Sequence, residues 1–183
     1  MKALLRSFGY AFRGLFWATR VDRNMRIHIV VMVYMFGFLL LPDWFTVTPV
    51  QWALLLLATA LVVGAELVNT AIEATVDLVT GGRYHDLAGR AKDTASAAVL
   101  VCALFAVGVG VAVLWQPEAF RRMAHYFATH PVMIGALAVS VGIAGAFVFS
   151  ARPSPVPPKF DDAADTRTVG PPPADRRPAE PAP

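Results

Sequence analysis

Residues 66–77 read ELVNTAIEATVD and set three carboxylates and an amide into an otherwise apolar segment. Asn69, Glu73 and Asp77 follow Glu66 at i+3, i+7 and i+11, so at about 3.6 residues per turn these side chains share one stripe of a helix. A carboxylate at membrane depth costs about 2.5–3.5 kcal/mol on insertion scales. The stripe is therefore expected to face a protein interior, a cation or a polar ligand, and to be functional.

The composition is that of a membrane protein rather than a soluble one. The 183 residues are 56% hydrophobic and 16% charged, and the mean hydropathy is +0.54. Four apolar segments are long enough, or nearly so, for the roughly 20 residues that a spanning helix needs, and they run over 27–41, 52–79, 94–115 and 132–151. The sequence thus predicts an all-α membrane protein whose first spanning helix begins near Asn24.

The chain divides into four parts by composition and periodicity. Residues 1–23 place apolar and basic side chains on opposite sides of a helix, which predicts an amphipathic helix at the membrane surface. Residues 24–115 predict three spans, and residues 116–151 a linker followed by a fourth transmembrane helix. The tail, 152–183, is rich in Pro, Ala, Asp and Arg, a composition that cannot bury a core and predicts disorder.

The distribution of charge predicts the topology. Several Lys and Arg precede the first span with Asp22 as the single acid among them, whereas the turn 42–49 contains neither Lys nor Arg. The positive-inside rule then places the N-terminus and the loop 80–93 in the cytoplasm, and Arg121 and Arg122 fall outside, against the rule. Because the cations flank membrane segments, the net charge of +3 indicates attraction to anionic lipids and not to nucleic acid.

Two neighbouring regions carry the chemistry. Residues 83–96 combine cations, hydroxyls and backbone amides near a helix N-terminus, a set that suits phosphate. Carboxylates able to hold Mg²⁺ beside such a loop are the minimum equipment for phosphoryl transfer from a nucleotide. Taken alone, the acidic stripe also fits a polar packing seam or the lining of an ion pathway, and Arg90 and Lys92 also fit solvated cations at the membrane edge. No P-loop, protein-kinase glycine loop or dinucleotide fingerprint is present in the sequence.

Four motifs together give the sequence a family resemblance. The stretch 66–77, with HDLAGRAKDTASAAVL at 85–100, GY at 9–10 and DRNMRIH at 22–28, resembles the bacterial membrane diacylglycerol kinase and undecaprenol kinase family. The likeness covers roughly residues 5–115. It implies a homotrimer of three-span protomers in the bacterial inner membrane, with a surface helix and with active sites shared between neighbouring chains. It also implies a reaction in which ATP and Mg²⁺ phosphorylate a lipid alcohol at the cytoplasmic face.

The resemblance also implies a role for individual residues. Glu66 matches the general base that takes the proton of the lipid hydroxyl, and Glu73 matches a ligand of Mg²⁺ and ATP. Asp22 stands where the family usually has glutamate as the second metal-binding and ATP-binding carboxylate, and it reaches about one methylene less. The remaining nucleotide positions match Tyr10, Arg83, Tyr84, His85, Lys92 and Asp93, and the positions that support the site or lie near the lipid match Asn69, Asp77 and Ser96.

The acceptor and two other classes of function stay open at this point. The run NMRIH at 24–28 looks more like the undecaprenol kinases than the proteobacterial diacylglycerol kinases. A non-enzymatic oligomeric membrane protein, either a cation pathway or a scaffold, is one alternative. The basic loop counts against a cation pathway, because positive charge at its mouth repels the ion. A family member that has lost activity is the other alternative, for which Asp22 is the hint.

Overall fold

The computed structural model describes residues 2–40 and 44–151, and these form six helices and no strand. The helices are α1 (Lys2–Val21), α2 (Arg23–Leu40), α3 (Pro49–Thr80), α4 (Asp86–Leu114), α5 (Pro117–Thr129) and α6 (Pro131–Phe149). The tail for which the composition predicts disorder, 152–183, lies outside the described residues.

Four of these helices, α2, α3, α4 and α6, are long and apolar enough to cross a membrane by length and composition. They confirm the predicted all-α, multi-pass membrane protein, including the fourth spanning helix. α2 begins at Arg23, one residue before the predicted start. The linker that precedes the fourth span is itself helical, over α5.

Local sequence sets the ends of α3 and α4, which carry the acidic stripe and the basic loop. Thr48 caps α3 in a capping box with Gln51, and Pro49 occupies the first helical position. α3 ends at Gly81, whose left-handed φ of 59° lets its amide bond back to the carbonyl of Asp77. The ring of His85 then accepts the amide of Leu87 and caps α4. The loop between the two helices is therefore short and begins directly after the stripe.

The spans pack in a definite order. α3 and α4 form the most extensive helix pair, and α2 lies between α3 on one side and α6 on the other. α6 runs antiparallel to α2, because Arg26 near the start of α2 bonds to Phe147 and Ser150 at the end of α6, and Tyr34 bonds to Ser140 further along. The last described residues thus lie at the same end of the bundle as the start of α2.

α1 presents a largely apolar surface to its surroundings. Its exposed apolar side chains include Leu4, Leu5, Phe8, Phe12 and Phe16. The guanidinium groups of Arg13 and Arg20 lie over the rings of Tyr10 and Phe16. This combination of bare apolar and basic side chains suits the membrane interface, as the sequence predicts.

α5 closes the opposite end of the bundle through the segment that precedes α3. The buried ring of Trp44 meets the ring of Tyr126 with centroids 5.3 Å apart, and Arg122 donates to the carbonyl of Trp44 at 2.6 Å. Arg121 pairs with Glu118 on the same helix. The two arginines that run against the positive-inside rule therefore have local partners in α5 and beside it.

Candidate active site

Glu66 is the most unusual residue of the acidic stripe. It is only 1% exposed, and in the described part of the chain no donor bonds to its carboxylate oxygens, although the carboxylate of Asp22 comes within hydrogen-bond range. A buried charge without partners is strongly destabilising, whereas most buried polar groups in proteins are satisfied. Asp22 and Glu73 lie close enough to Glu66 for their charges to act on it. Three carboxylates thus lie along the same side of the bundle, and the most buried of them, Glu66, is left for a ligand or a proton.

Asp22 reaches this cluster from the break between α1 and α2. Its Oδ1 accepts the amide of Asn24 at 2.7 Å and so caps the first turn of α2. Its Oδ2 lies 3.0 Å from the hydroxyl of Thr70 on α3. Each carboxylate oxygen has a second lone pair, so both contacts leave Asp22 able to accept one more partner.

Glu73 belongs to a short chain of hydrogen bonds between α3 and α4. The amide of Asn69 donates to Oε1 of Glu73 at 3.0 Å, and Ser96 donates to the amide oxygen of Asn69 at 3.3 Å. Asn69 is buried, and it is oriented by both partners. These contacts fix the side chain of Glu73, which is half-buried, beside the deeper Glu66.

Lys92 ends the stripe on the side of the basic loop. Its Nζ lies 2.5 Å from Oδ1 of Asp77, and both side chains are partly exposed. Because the pair is reached by solvent, the ion pair contributes little stability. Breaking the ion pair therefore costs little free energy, so the ammonium group of Lys92 can bind another anion instead.

The loop between α3 and α4 borders an open cavity of ≈ 600 Å³. Arg83, Tyr84 and His85 line it from the loop, and Val76 and Thr80 line it from α3. Tyr84 is 90% exposed, so its ring is available to a ligand. The cavity is open and mostly apolar in its lining, with the polar side chains of the loop along one side, whereas the acidic cluster is closed.

The structure brings most of the predicted site residues together, but not all of them. Asp22, Glu66, Asn69, Glu73 and Ser96 form one cluster, and Asp77 and Lys92 form the pair beyond it. Asp93 is exposed one residue further along α4. Tyr10 is 64% exposed, and among the described residues its ring contact is with Arg13 of its own helix.

Two residues near the site were given no role by sequence reasoning. Thr70 is 4% exposed and lies 2.9 Å from the carbonyl of Glu66 as well as beside Asp22. A hydroxyl four residues after a glutamate is common in membrane helices and usually bonds only to its own helix, so the sequence holds no strong signal for it. Arg26 is the second of these residues. It lies within the motif at 22–28, where sequence reasoning assigned it no role, and its side chain is only 6% exposed.

An apolar cavity of ≈ 450 Å³ lies between α2, α3 and α4. His28 and Met32 of α2, Leu55 and Val62 of α3 and Ala103 of α4 are among its lining residues. Val62 lies one helical turn before Glu66, so the cavity ends about one turn from the buried carboxylate, which does not itself line it. The described residues contain no group of three or more His, Cys, Asp or Glu side chains placed to hold a metal ion.

The fold and the site define a class, namely a multi-pass helical membrane protein with a buried carboxylate and a basic loop at one end of its helices. The model of the family described as prokaryotic diacylglycerol kinase matches residues 9–114. The chain therefore belongs to this family, a class of phosphotransferases with an alcohol acceptor, and the predicted resemblance is confirmed. α5 and α6 lie beyond the matched segment.

Individual relatives agree with this assignment. The chain is 42% identical over 114 residues to a diacylglycerol kinase of Synechocystis sp., a match covering 62% of this chain and 63% of the relative. It is 35% identical over 113 residues to the diacylglycerol kinase of Escherichia coli K12, covering 62% of this chain and 89% of the relative. It is 34% identical over 113 residues to the undecaprenol kinase of Bacillus subtilis, covering 61% of this chain and 87% of the relative.

Proposed function

We propose that the protein is a lipid kinase that transfers the γ-phosphoryl group of ATP, bound with Mg²⁺, to the hydroxyl of a membrane lipid alcohol. The observation that carries the proposal is Glu66, a buried carboxylate to which no donor of the described residues bonds, beside Asp22 and Glu73. Membership of a kinase family gives this cluster a chemical purpose, which a packing seam lacks. A seam in a membrane bundle is expected to satisfy its polar groups.

Glu66 acts as the general base in this proposal. Its carboxylate takes the proton from the lipid hydroxyl while the hydroxyl oxygen bonds to the γ-phosphorus of ATP. The bond between that phosphorus and the oxygen that bridges it to the β-phosphate breaks, and ADP leaves. Positioning and charge stabilisation supply most of the catalysis of phosphoryl transfer, so a rigid base at the right depth is the main demand on the protein.

Asp22 and Glu73 are the proposed ligands of Mg²⁺, which neutralises charge on the phosphates when it is bound. Mg²⁺ is usually held through one or two carboxylates together with substrate phosphates, and not by a full protein cage. The donor set fits that arrangement, because Asp22 and Glu73 are two partly exposed carboxylates that both lie near Glu66. The ion is therefore expected to arrive with the nucleotide.

The nucleotide is proposed to occupy the rim beside the α3–α4 loop. Lys92 exchanges Asp77 for the phosphates, as its low-cost ion pair allows. Arg83, Tyr84 and His85 line the cavity that receives the rest of ATP. Asp93 and Tyr10 are exposed, which supports a homotrimer in which a neighbouring chain completes the nucleotide site.

The acceptor is proposed to be undecaprenol or diacylglycerol. The apolar cavity that ends about one turn from Glu66 suits the first carbons of either lipid, with the hydroxyl at the carboxylate and the tail in the membrane. ATP is cytoplasmic, and the basic residues near the N-terminus and in the α3–α4 loop follow the positive-inside rule. The site and the N-terminus are therefore proposed to lie on the cytoplasmic side of the bacterial inner membrane.

The test is phosphate transfer by the purified full-length protein. The protein is supplied with γ-labelled ATP, Mg²⁺ and, separately, diacylglycerol, undecaprenol and ceramide in the same detergent. We expect label in undecaprenol or diacylglycerol, and no label when Glu66→Gln replaces the parent. A parent that labels none of the lipids would overturn the proposal in favour of an inactive family member or a non-enzymatic membrane protein.

A further inference from the structure

Arg26 is a buried cation that bonds to the ends of two helices. Its Nε donates to the carbonyl of Thr19 at 2.5 Å, and its Nη2 donates to the carbonyl of Arg20 at 3.0 Å. Its Nη1 donates to the carbonyl of Phe147 at 2.5 Å and to the hydroxyl of Ser150 at 2.7 Å. The guanidinium carbon also lies 4.8 Å from the centre of the Phe147 ring. One side chain thus joins the end of α1 to the end of α6.

The chemistry of these hydrogen bonds makes the link that Arg26 forms between α1 and α6 a strong one. The last carbonyls of a helix have no partner within it, and the C-terminal end carries partial negative charge. A guanidinium has five donors in a rigid fork, and four bonds are made here. Since Arg26 is 6% exposed, losing its partners would leave a buried charge unpaired.

The join lies at the α1–α2 junction, which carries Asp22. The amide of Asp22 bonds to the carbonyl of Ala18 at 2.9 Å, one residue before the Thr19 carbonyl that Arg26 holds. Asp22 in turn caps α2 through Asn24. The direction in which its carboxylate points is therefore set by how α1 meets α2, and Arg26 fixes that meeting.

We propose that Arg26 is a positioning residue for Asp22. In this proposal α6, which lies outside the family match, helps to orient Asp22 by binding the side chain of Arg26. The inference rests on the proposed function for the role of Asp22 toward Mg²⁺. It gives the C-terminal helix a part in the site, where membrane anchoring alone would need no contact with the junction. The bond between Tyr34 and Ser140, at 2.9 Å, is a polar α2–α6 contact away from the junction.

The test separates these two roles of α6 in the full chain. The double variant Phe147→Ala with Ser150→Ala removes the ring and hydroxyl contacts of α6 with Arg26, but leaves the bonds of Arg26 to α1 and to the backbone carbonyl of residue 147. Tyr34→Phe is the matched control, because it removes a polar α2–α6 bond away from the junction. Arg26→Met removes the whole join, and the double variant keeps the question answerable if Arg26→Met folds poorly.

Two measurements are made on each variant, namely amide hydrogen exchange at residues 22–24 and the Mg²⁺ concentration for half-maximal phosphate transfer. We expect the double variant to exchange these amides about tenfold faster and to need about tenfold more Mg²⁺, the lower end of the effect of groups that orient metal ligands. Tyr34→Phe should change neither quantity.

Parental values of both quantities in the double variant and in Arg26→Met would overturn the inference. Faster exchange with a parental Mg²⁺ requirement would also overturn it, because Arg26 would then stabilise the junction without positioning Asp22. Failure of the proposed function shows itself differently, as a parent that labels no lipid. Exchange at residues 22–24 then decides alone, and unchanged exchange in both the double variant and Arg26→Met rejects the inference.

Discussion

The hydroxyl of Thr70 lies 3.0 Å from Oδ2 of Asp22 and ties α3 to the junction between α1 and α2. The same hydroxyl is 2.9 Å from the carbonyl of Glu66, so its single proton serves two acceptors that belong to different helices. Thr70 is therefore the point at which the proposed base and the proposed metal ligand share a partner.

Thr70→Val should weaken this link with little change in shape. We expect the variant to lose about 1 kcal/mol of stability, the usual worth of a hydrogen bond, and to transfer phosphate more slowly than the parent. Thr70→Ser keeps the donor and serves as the control, so it should recover most of the activity. Equal rates for the valine and serine variants would show that the hydroxyl does not support the site.

Replacing the carboxylates of the stripe should stop the reaction without unfolding the protein. Glu66→Gln is expected to lower phosphate transfer by about 100-fold or more, since general-base catalysis typically contributes 10²–10⁴-fold. Glu73→Gln is expected to remove most of the transfer, because a carboxylate ligand of Mg²⁺ is lost. Label transfer from ATP measures the loss, and membrane insertion of both variants should match the parent. Retention of parental rates by both would refute the assigned roles.

Glu66→Gln should also leave the protein as stable as the parent, or more stable. The amide removes a buried charge that has no partner, while keeping the shape of the side chain. The thermal unfolding temperature in detergent measures this, with Asn69→Ala as a contrast, because Asn69 is bonded on both sides and its loss should destabilise the bundle. A large drop for Glu66→Gln would mean that the carboxylate is satisfied in the folded protein.

Asp22 has two separable roles, capping α2 and the proposed binding of Mg²⁺. Asp22→Asn keeps an oxygen for the Asn24 amide and removes the charge, whereas Asp22→Ala removes both. We expect both variants to need more Mg²⁺ than the parent, and only Asp22→Ala to lose about 1 kcal/mol of stability as well. A parental Mg²⁺ titration for Asp22→Asn would limit Asp22 to capping.

Lys92 should matter for the nucleotide and not for the lipid. Lys92→Met is expected to raise the KM for ATP by about tenfold, the loss of one charge-assisted bond of roughly 1.5 kcal/mol, with the KM for lipid unchanged. Arg90→Met removes an equal charge from the exposed surface of the same helix and is the matched control. The same rise in KM for both variants would point to general attraction of ATP by the loop.

The helices were largely predictable, because they depend on apolar segments whose length exceeds that of a membrane crossing. The starts of the helices were less predictable. α3 begins at Pro49, before the first predicted residue, 52, although Thr48, Pro49 and Gln51 form the sequence pattern of a capping box. The helix α5 was predicted only as a linker. Its order depends on tertiary contacts between Trp44 and Tyr126, which no local pattern encodes.

The acidic cluster was predictable for a different reason from the rest of the site. Glu66 and Glu73 stand out because carboxylates are rare in apolar helices, so their positions alone mark them. The sequence does not single out Thr70 and Arg26 in this way. A threonine in a helix commonly bonds to its own helix, and an arginine near a membrane edge is common. Their roles arise from contacts between distant parts of the chain. Thr70 meets Asp22, 48 positions away, and Arg26 meets Phe147 of α6, 121 positions away.

The antiparallel return of α6 brings both ends of the described chain to one end of the helix bundle. Ser150 consequently lies beside the α1–α2 junction, where its hydroxyl accepts from Arg26. A fluorophore attached at residue 151 and another on α1 would therefore report on the same end of the molecule.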